Sequence, residues 1–183
     1  WAGAMLTLLW PSGVLCHPLL CLNEPVAEAR EKLVEMALAL TPRPKFLLFI
    51  GDDMLPPPGT VQELYGVMRV PALYAKAAGV SALYYSKSKI SAPVAWRGNL
   101  PVRDLPPDAM LEVSGTGLDF CLLRTDMFAG LDRPWFKTVQ TEHSRLTEDA
   151  YFWNKVRASS HLRPYVATSV RVGHFDHNSG HVY

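Results

Sequence analysis

A single-domain α/β protein with a mixed, mainly parallel central sheet flanked by helices is what the sequence predicts, on three observations. A helical pattern of apolar residues over 26–40 runs into the unbroken apolar stretch Phe46–Ile50, as expected of a strand covered on both faces. The alternation then recurs, with a short helix expected over 60–70 and a strand over 80–85. The 183 residues suit one compact domain, 1–183, and helices alternating with strands inside one domain build a parallel sheet.

Each element has its own local cause. Residues 6–10 are apolar and end at Pro11-Ser12-Gly13, which predicts a short buried strand and a turn, with 14–22 as a second extended piece. Asn23-Glu24-Pro25 reads as an N-cap followed by proline in the first turn. Val26, Ala29, Leu33, Met36, Ala37 and Leu40 recur at helical spacing, with Glu28, Arg30, Glu31 and Lys32 on the other side. Thr41-Pro42-Arg43-Pro44 closes that helix. Within the basic, loop-like stretch 86–107, residues 94–96 and 100–102 around Arg97-Gly98-Asn99 predict a β-hairpin. Residues 111–123 contain "EVSGTGLDFCLL", read as one strand opened by two glycines. Thr147 caps a helix over 147–159 with Glu148 and Asp149 in its first turn, and a last strand over 165–172 leads into "VGHFDHNSGH".

Composition narrows the function. The formal net charge is +1, so recognition of nucleic acid through phosphate contacts, which needs a clear excess of Lys and Arg, is not expected. Pro11, Gly13, His17 and Pro18 interrupt the apolar N-terminal stretch well short of the roughly 20 residues that a spanning helix needs, and no basic run precedes it. No integral membrane segment and a cytoplasmic location are therefore expected. Cys16, Cys21 and Cys121 cannot all pair and read as small buried apolar side chains; Cys16-His17 with Cys21 lacks the second ligand pair of a zinc cluster.

The chemistry concentrates where the Phe46–Ile50 strand ends. In open α/β sheets ligands bind beyond the carboxyl ends of strands, and Asp52-Asp53 sit there, just before Pro56-Pro57-Pro58. Adjacent carboxylates repel unless a positive charge lies beside them, and a divalent cation that takes its other ligands from substrate phosphates and water answers that need. The plainer alternative is a solvated turn.

"FLLFIGDDMLPPPG" resembles the metal-binding Asp-x-Asp segment of GT-A fold glycosyltransferases, family 2-like, with Gly51 standing at the first acidic position. The resemblance implies a Rossmann-like GT-A domain that moves a sugar from a nucleoside-diphosphate sugar to a hydroxyl of a glycan, lipid or protein acceptor, with Mn²⁺ or Mg²⁺ bound. It implies Asp53 and Asp52 as metal ligands, Asp52 also near the donor, and His174 as a further metal ligand, with His177 second and Asp176 orienting one of them. "LTEDAYFWNKV" is similar to the acidic pair at a helix start in inverting members, which implies Asp149 as general base and Glu148 as its neighbour. Further implied donor contacts are Pro11 and Ser12 after the first strand, Arg30 on the first long helix, and Gly115 and Gly117 where backbone approaches ligand. Lys87, Lys89, Arg97 and Arg103 could embrace the diphosphate, and Trp96, Trp135 and Phe136 could stack on sugar rings or belong to the core. Two other readings stay open: a nucleotidyltransferase or phosphohydrolase, and a non-catalytic nucleotide-sugar or glycan-binding module on the same fold.

Overall fold

A computed structural model describes residues 2–88, 90–98, 100–142 and 145–183. In chain order it contains α1 (Ala2–Thr7), α2 (Val26–Ala39), β1 (Phe46–Ile50), β2 (Met54–Leu55), α3 (Thr60–Met68), α4 (Pro71–Tyr74), β3 (Ala77–Leu83), β4 (Ala95–Arg97) and β5 (Leu100–Pro101). There follow β6 (Met110–Glu112), β7 (Gly115–Thr116), β8 (Phe120–Arg124), a 3-10 turn (Asp126–Gly130), β9 (Val139–Gln140), β10 (Arg145–Leu146), α5 (Glu148–Ser159), β11 (Arg163–Arg171) and β12 (Gly173–His174).

The central sheet has the order β1-β8-β3-β11-β6 and is mostly antiparallel, which corrects the expectation of a mainly parallel sheet. Only β3 and β11 pair in parallel; β1 with β8, β8 with β3, and β11 with β6 are antiparallel. The physical reason is an insertion. β1 and β3 both oppose β8, so they run the same way, as a strand-helix-strand unit requires. β8 has slotted between them in reverse. The periodicity of the helices and strands was legible; the strand order was not.

Alternate side chains of β8 serve the two faces. Cys121 and Leu123 point into a core with Val34 of α2, Phe49, and Phe152, Trp153 and Val156 of α5. Phe120 and Leu122 point into the other, with Val61, Leu64 and Met68 of α3 and Val80 and Tyr165. Helices therefore cover both faces. Trp135 and Phe136 belong to the first of these cores, where Phe136 stacks on Phe152 at 4.8 Å, so their rings are committed to packing.

Several local expectations are corrected. Residues 2–7 are helical, 8–10 and 14–22 form no strand, and Leu6, Leu9, Trp10, Leu15, Leu20 and Leu22 are exposed, so the buried strand-turn-strand reading fails. An apolar run predicts burial only if the sheet has room for it, and none of these residues pairs into the central sheet. Cys121 is buried, but Cys16 is exposed and Cys21 half-buried. Pro25, not Asn23, occupies the cap position of α2. The glycine-containing stretch divides into β6, β7 and β8, because Gly115-Thr116 leaves the central sheet to pair with β4. The hairpin is present, with Trp96 opposite Pro101 and Arg97 opposite Leu100; Asn99 lies outside the described residues.

α2 is rotated from the face its sequence suggests. It buries Ala27, Arg30, Val34 and Ala37 and exposes Val26 and Met36. Two polar anchors hold that rotation: Arg30 turns inward, and Glu31 accepts the Trp135 and Phe136 backbone N–H groups at 2.9 and 3.1 Å. No helix among the described residues is long and apolar enough to cross a membrane.

Candidate functional site

The strand directions bring the ends of β1, β3 and β11 and the beginning of β8 to one end of the sheet. Gly51, just past β1, donates its N–H to the Asp119 carbonyl at 2.7 Å, joining the Asp52-Asp53 turn to the residue that precedes β8. A Cβ at Gly51 would lie 3.0 Å from Asp53 Oδ1 and 3.1 Å from Asp119 Cβ. A side chain at position 51 would thus begin in a space crowded by two carboxylate residues.

The first polar group is built on Asp53. β2 pairs with β12, setting Met54 opposite His174, and the Phe175 N–H donates to the Asp53 carbonyl at 2.8 Å. His174 Nε2 consequently stands 3.3 Å from Asp53 Oδ2, and Lys87 Nζ donates to the same oxygen. His174 Nδ1 lies 2.7 Å from the Tyr85 carbonyl oxygen. A carbonyl can only accept, so Nδ1 carries the hydrogen and Nε2 is the nitrogen presented to Asp53. Burial opposes the charge on Asp53, but hydrogen bonds from His174 and Lys87 outweigh it and hold the carboxyl well below its ordinary range. Burial likewise opposes the imidazolium of His174, and Asp53 with the Tyr85 carbonyl pulls its pKa above the ordinary value.

The second group is built on Arg30, which is 5% exposed. One guanidinium nitrogen donates to Asp119 Oδ1 at 2.6 Å and another to Glu148 Oε1, tying α2 to the beginnings of β8 and α5. Arg30 was expected to face a nucleotide; the structure turns it into the protein. Glu148 is buried as its partner, so it neighbours Asp149 in sequence but serves the clamp. Asp149 Oδ1 accepts the Thr147 hydroxyl and, at 2.7 Å, the Ala150 N–H. Burial raises the Asp149 pKa and the adjacent Glu148 charge adds to the rise, against these hydrogen bonds and Arg30.

Tyr84 joins the two groups. Its hydroxyl accepts the Asp119 N–H at 3.2 Å, and its ring meets the His174 ring edge-on at 5.5 Å. Burial drives the Tyr84 hydroxyl pKa well above its ordinary value, so it stays protonated. Gly117 makes room for it: a Cβ there would lie 1.9 Å from the Tyr84 hydroxyl oxygen, and one at Gly115 would lie 2.5 Å from Trp96. These glycines were expected to admit a ligand; the neighbours they admit are aromatic side chains. Gly117→Ala is expected to cost about 1–3 kcal/mol, the usual penalty of overpacking, in chemical denaturation, whereas Gly130→Ala, with nothing near its Cβ position, leaves stability nearly unchanged.

The remaining expected residues that the structure describes take no part in these two hydrogen-bonded groups. Asp52 is exposed beside Asp53. Pro11 and Ser12 follow a segment fastened to the α3 side, where Leu9 N–H donates to the Pro58 carbonyl at 2.7 Å and Gln62 to the Trp10 carbonyl at 3.2 Å. Asp176 accepts hydrogen bonds from Asn178 N–H and the Ser179 hydroxyl, so it closes the last turn and does not orient a histidine. His177 is exposed, Arg97 and Arg103 are exposed, and Lys89 lies outside the described residues. Asp119 and Tyr84 were not expected. The signal for Asp119 was an acid set directly before the apolar run Phe120-Cys121-Leu122-Leu123.

No protein-family model and no curated protein matches this chain. Among solved structures, "Crystal Structure of A197 from STIV" matches with a TM-score of 0.62 and 22% sequence identity, covering 84% of this chain and 69% of that one. This is a likeness of fold: a compact α/β domain with a mixed sheet flanked by helices.

Proposed function

We propose that this chain is a divalent-cation-dependent glycosyltransferase that moves a sugar from a nucleoside-diphosphate sugar to a hydroxyl acceptor. The observation that carries the proposal is the Asp53–His174 pair at the end of β1, linked through Gly51, Asp119 and Arg30 to the helix start that bears Asp149.

Asp53 and His174 fit a cation. Their facing atoms are 3.3 Å apart, close to the spacing of about 3 Å that neighbouring ligands have around an octahedral ion with bonds near 2.1 Å. With Nδ1–H held by the Tyr85 carbonyl, the proton that a metal would have to displace is the one on Nε2, which then becomes the ligand atom. Among the described residues no group of three or more His, Cys, Asp or Glu is arranged to hold an ion, so substrate phosphate and water would complete the set, and a mixed oxygen and nitrogen pair favours Mn²⁺ over Mg²⁺. Such a cation, when bound, offsets the charge of the departing nucleoside diphosphate.

The chain's own residues supply the rest. Asp149 is the base that takes the acceptor hydroxyl proton, and burial makes it a better base by destabilising its charged form. Thr147 and Ala150 hold its Oδ1, which leaves Oδ2 for the acceptor. Inversion follows if Asp149 approaches from the face opposite the diphosphate.

A thermal-shift screen of UDP, GDP, CDP and dTDP sugars with and without Mn²⁺ tests the reading. One nucleotide class is expected to stabilise the protein only with Mn²⁺, by about 2.7 kcal/mol at a hundredfold excess over Kd. His174→Ala should abolish the Mn²⁺-dependent part. If no nucleotide stabilises the protein in either condition, the donor site is absent.

A further inference from the structure

The Asp53 oxygen that faces His174 is not free: it already holds a cation, the ammonium of Lys87. Lys87 is 25% exposed at its side chain and Asp53 21%, so the pair is neither sealed in the core nor fully solvated. The lysine also has a defined mounting. It follows β3 at the base of a short loop in which Tyr85 bridges Pro93, Ser86 N–H donates to the Ala92 carbonyl at 2.8 Å, and the Ser91 hydroxyl donates to the Ser86 carbonyl at 3.0 Å. The residue that fixes the His174 tautomer, Tyr85, lies two positions before Lys87 on the same strand exit. Lys87 and His174 therefore reach one carboxylate oxygen from a shared support.

We infer that Lys87 is an exchange cation: it neutralises Asp53 while no divalent ion is bound and must leave that oxygen when one binds. This rests on the proposed cation site and concerns how that site is loaded. A point charge on a flexible four-carbon stem can withdraw without disturbing the backbone around it. Once withdrawn, the ammonium lacks a partner, and the diphosphate of a nucleotide bound at the same cation would offer one. Lys87 thereby couples the two ligands. Metal alone competes with Lys87 for Asp53; metal with a nucleoside diphosphate gives both the carboxylate and the ammonium a partner, so each ligand tightens the other by an equal factor.

The test is Mn²⁺ binding, followed by calorimetry or by the spin resonance of free Mn²⁺, with and without UDP, GDP, CDP or dTDP, on the wild-type protein, Lys87→Met and Lys87→Arg. Methionine keeps an unbranched side chain without the charge, and its melting curve shows whether the fold is retained. Wild type is expected to bind Mn²⁺ weakly alone and about tenfold more tightly with its nucleotide, within the usual range of coupling between sites. Lys87→Met should bind Mn²⁺ alone more tightly than wild type and lose most of the coupling, and Lys87→Arg should restore weak binding and coupling. If a folded Lys87→Met binds Mn²⁺ alone no more tightly than wild type, the exchange role is overturned while the cation site stands. If no variant binds Mn²⁺ with any nucleotide, the cation site and the exchange role fall together.

Discussion

Arg30→Met is expected to destabilise the protein by about 3–5 kcal/mol, the cost of removing one partner from a buried ion-pair network. The guanidinium is nearly sealed, and it neutralises Glu148 from α5 and Asp119 from the lead-in to β8 at once. Removing it leaves two carboxylates without their counter-charge beside the ring of Phe49, over which the guanidinium sits at 5.8 Å. Glu148→Gln added to Arg30→Met should recover part of the loss, because an amide needs no counter-charge. Chemical denaturation of the single and double variants measures both effects. A single variant with an unchanged denaturation midpoint would show that the clamp contributes nothing.

On the proposed reading, Asp149→Asn is expected to lower sugar transfer by roughly 10²–10⁴-fold, the usual contribution of a general base; independently of that reading it is expected to raise the melting temperature. The two effects share a cause. Burial holds the folded-state pKa of Asp149 above the 3.8 of an unperturbed carboxyl, so the folded protein binds that proton more tightly than the unfolded chain does. Asp149 therefore favours folding below pH 3.8, and its contribution is lost as pH rises through the raised folded value. At neutral pH the buried charge is a liability that asparagine removes, while its amide oxygen can still accept the Thr147 and Ala150 hydrogen bonds. Melting curves from pH 3 to pH 8 should show the gap between variant and wild type widest near neutrality and closing toward acid. Equal melting temperatures at pH 7 would remove the stability argument, and undiminished transfer would remove Asp149 from the reaction.

The sequence made parts of this structure legible for physical reasons. The β1 strand, α2, α3 and α5 follow from local periodicity, and the strand end at Asp53 follows from an apolar run meeting charge. His174 was marked by the resemblance, which implies a C-terminal histidine close behind the last strand. What stayed hidden depends on pairing between distant segments. Nothing local tells that β8 runs against β1 and β3, so the sheet reads as parallel until the register is known. Arg30 reads as a donor contact on the polar side of its helix with Glu31 and Lys32, yet its position three residues after Ala27 and four before Val34 already places it on the buried stripe. The exposed leucines of the N-terminal stretch show the opposite case, in which apolarity does not bring burial.

The Arg30 clamp also bears on how the chain must be made. Its two bonds span 89 and 118 residues of sequence, so neither can close until most of the polypeptide exists. Contacts of such separation form late, after the loop-closure entropy of the intervening chain has been met. A nascent chain released before α5 would carry a positive charge aimed into its own apolar interior, with one of its two counter-ions missing. The clamp therefore acts as a proof of completion: the helix that carries Arg30 gains both counter-charges only when the segments that carry Asp119 and Glu148 have been made.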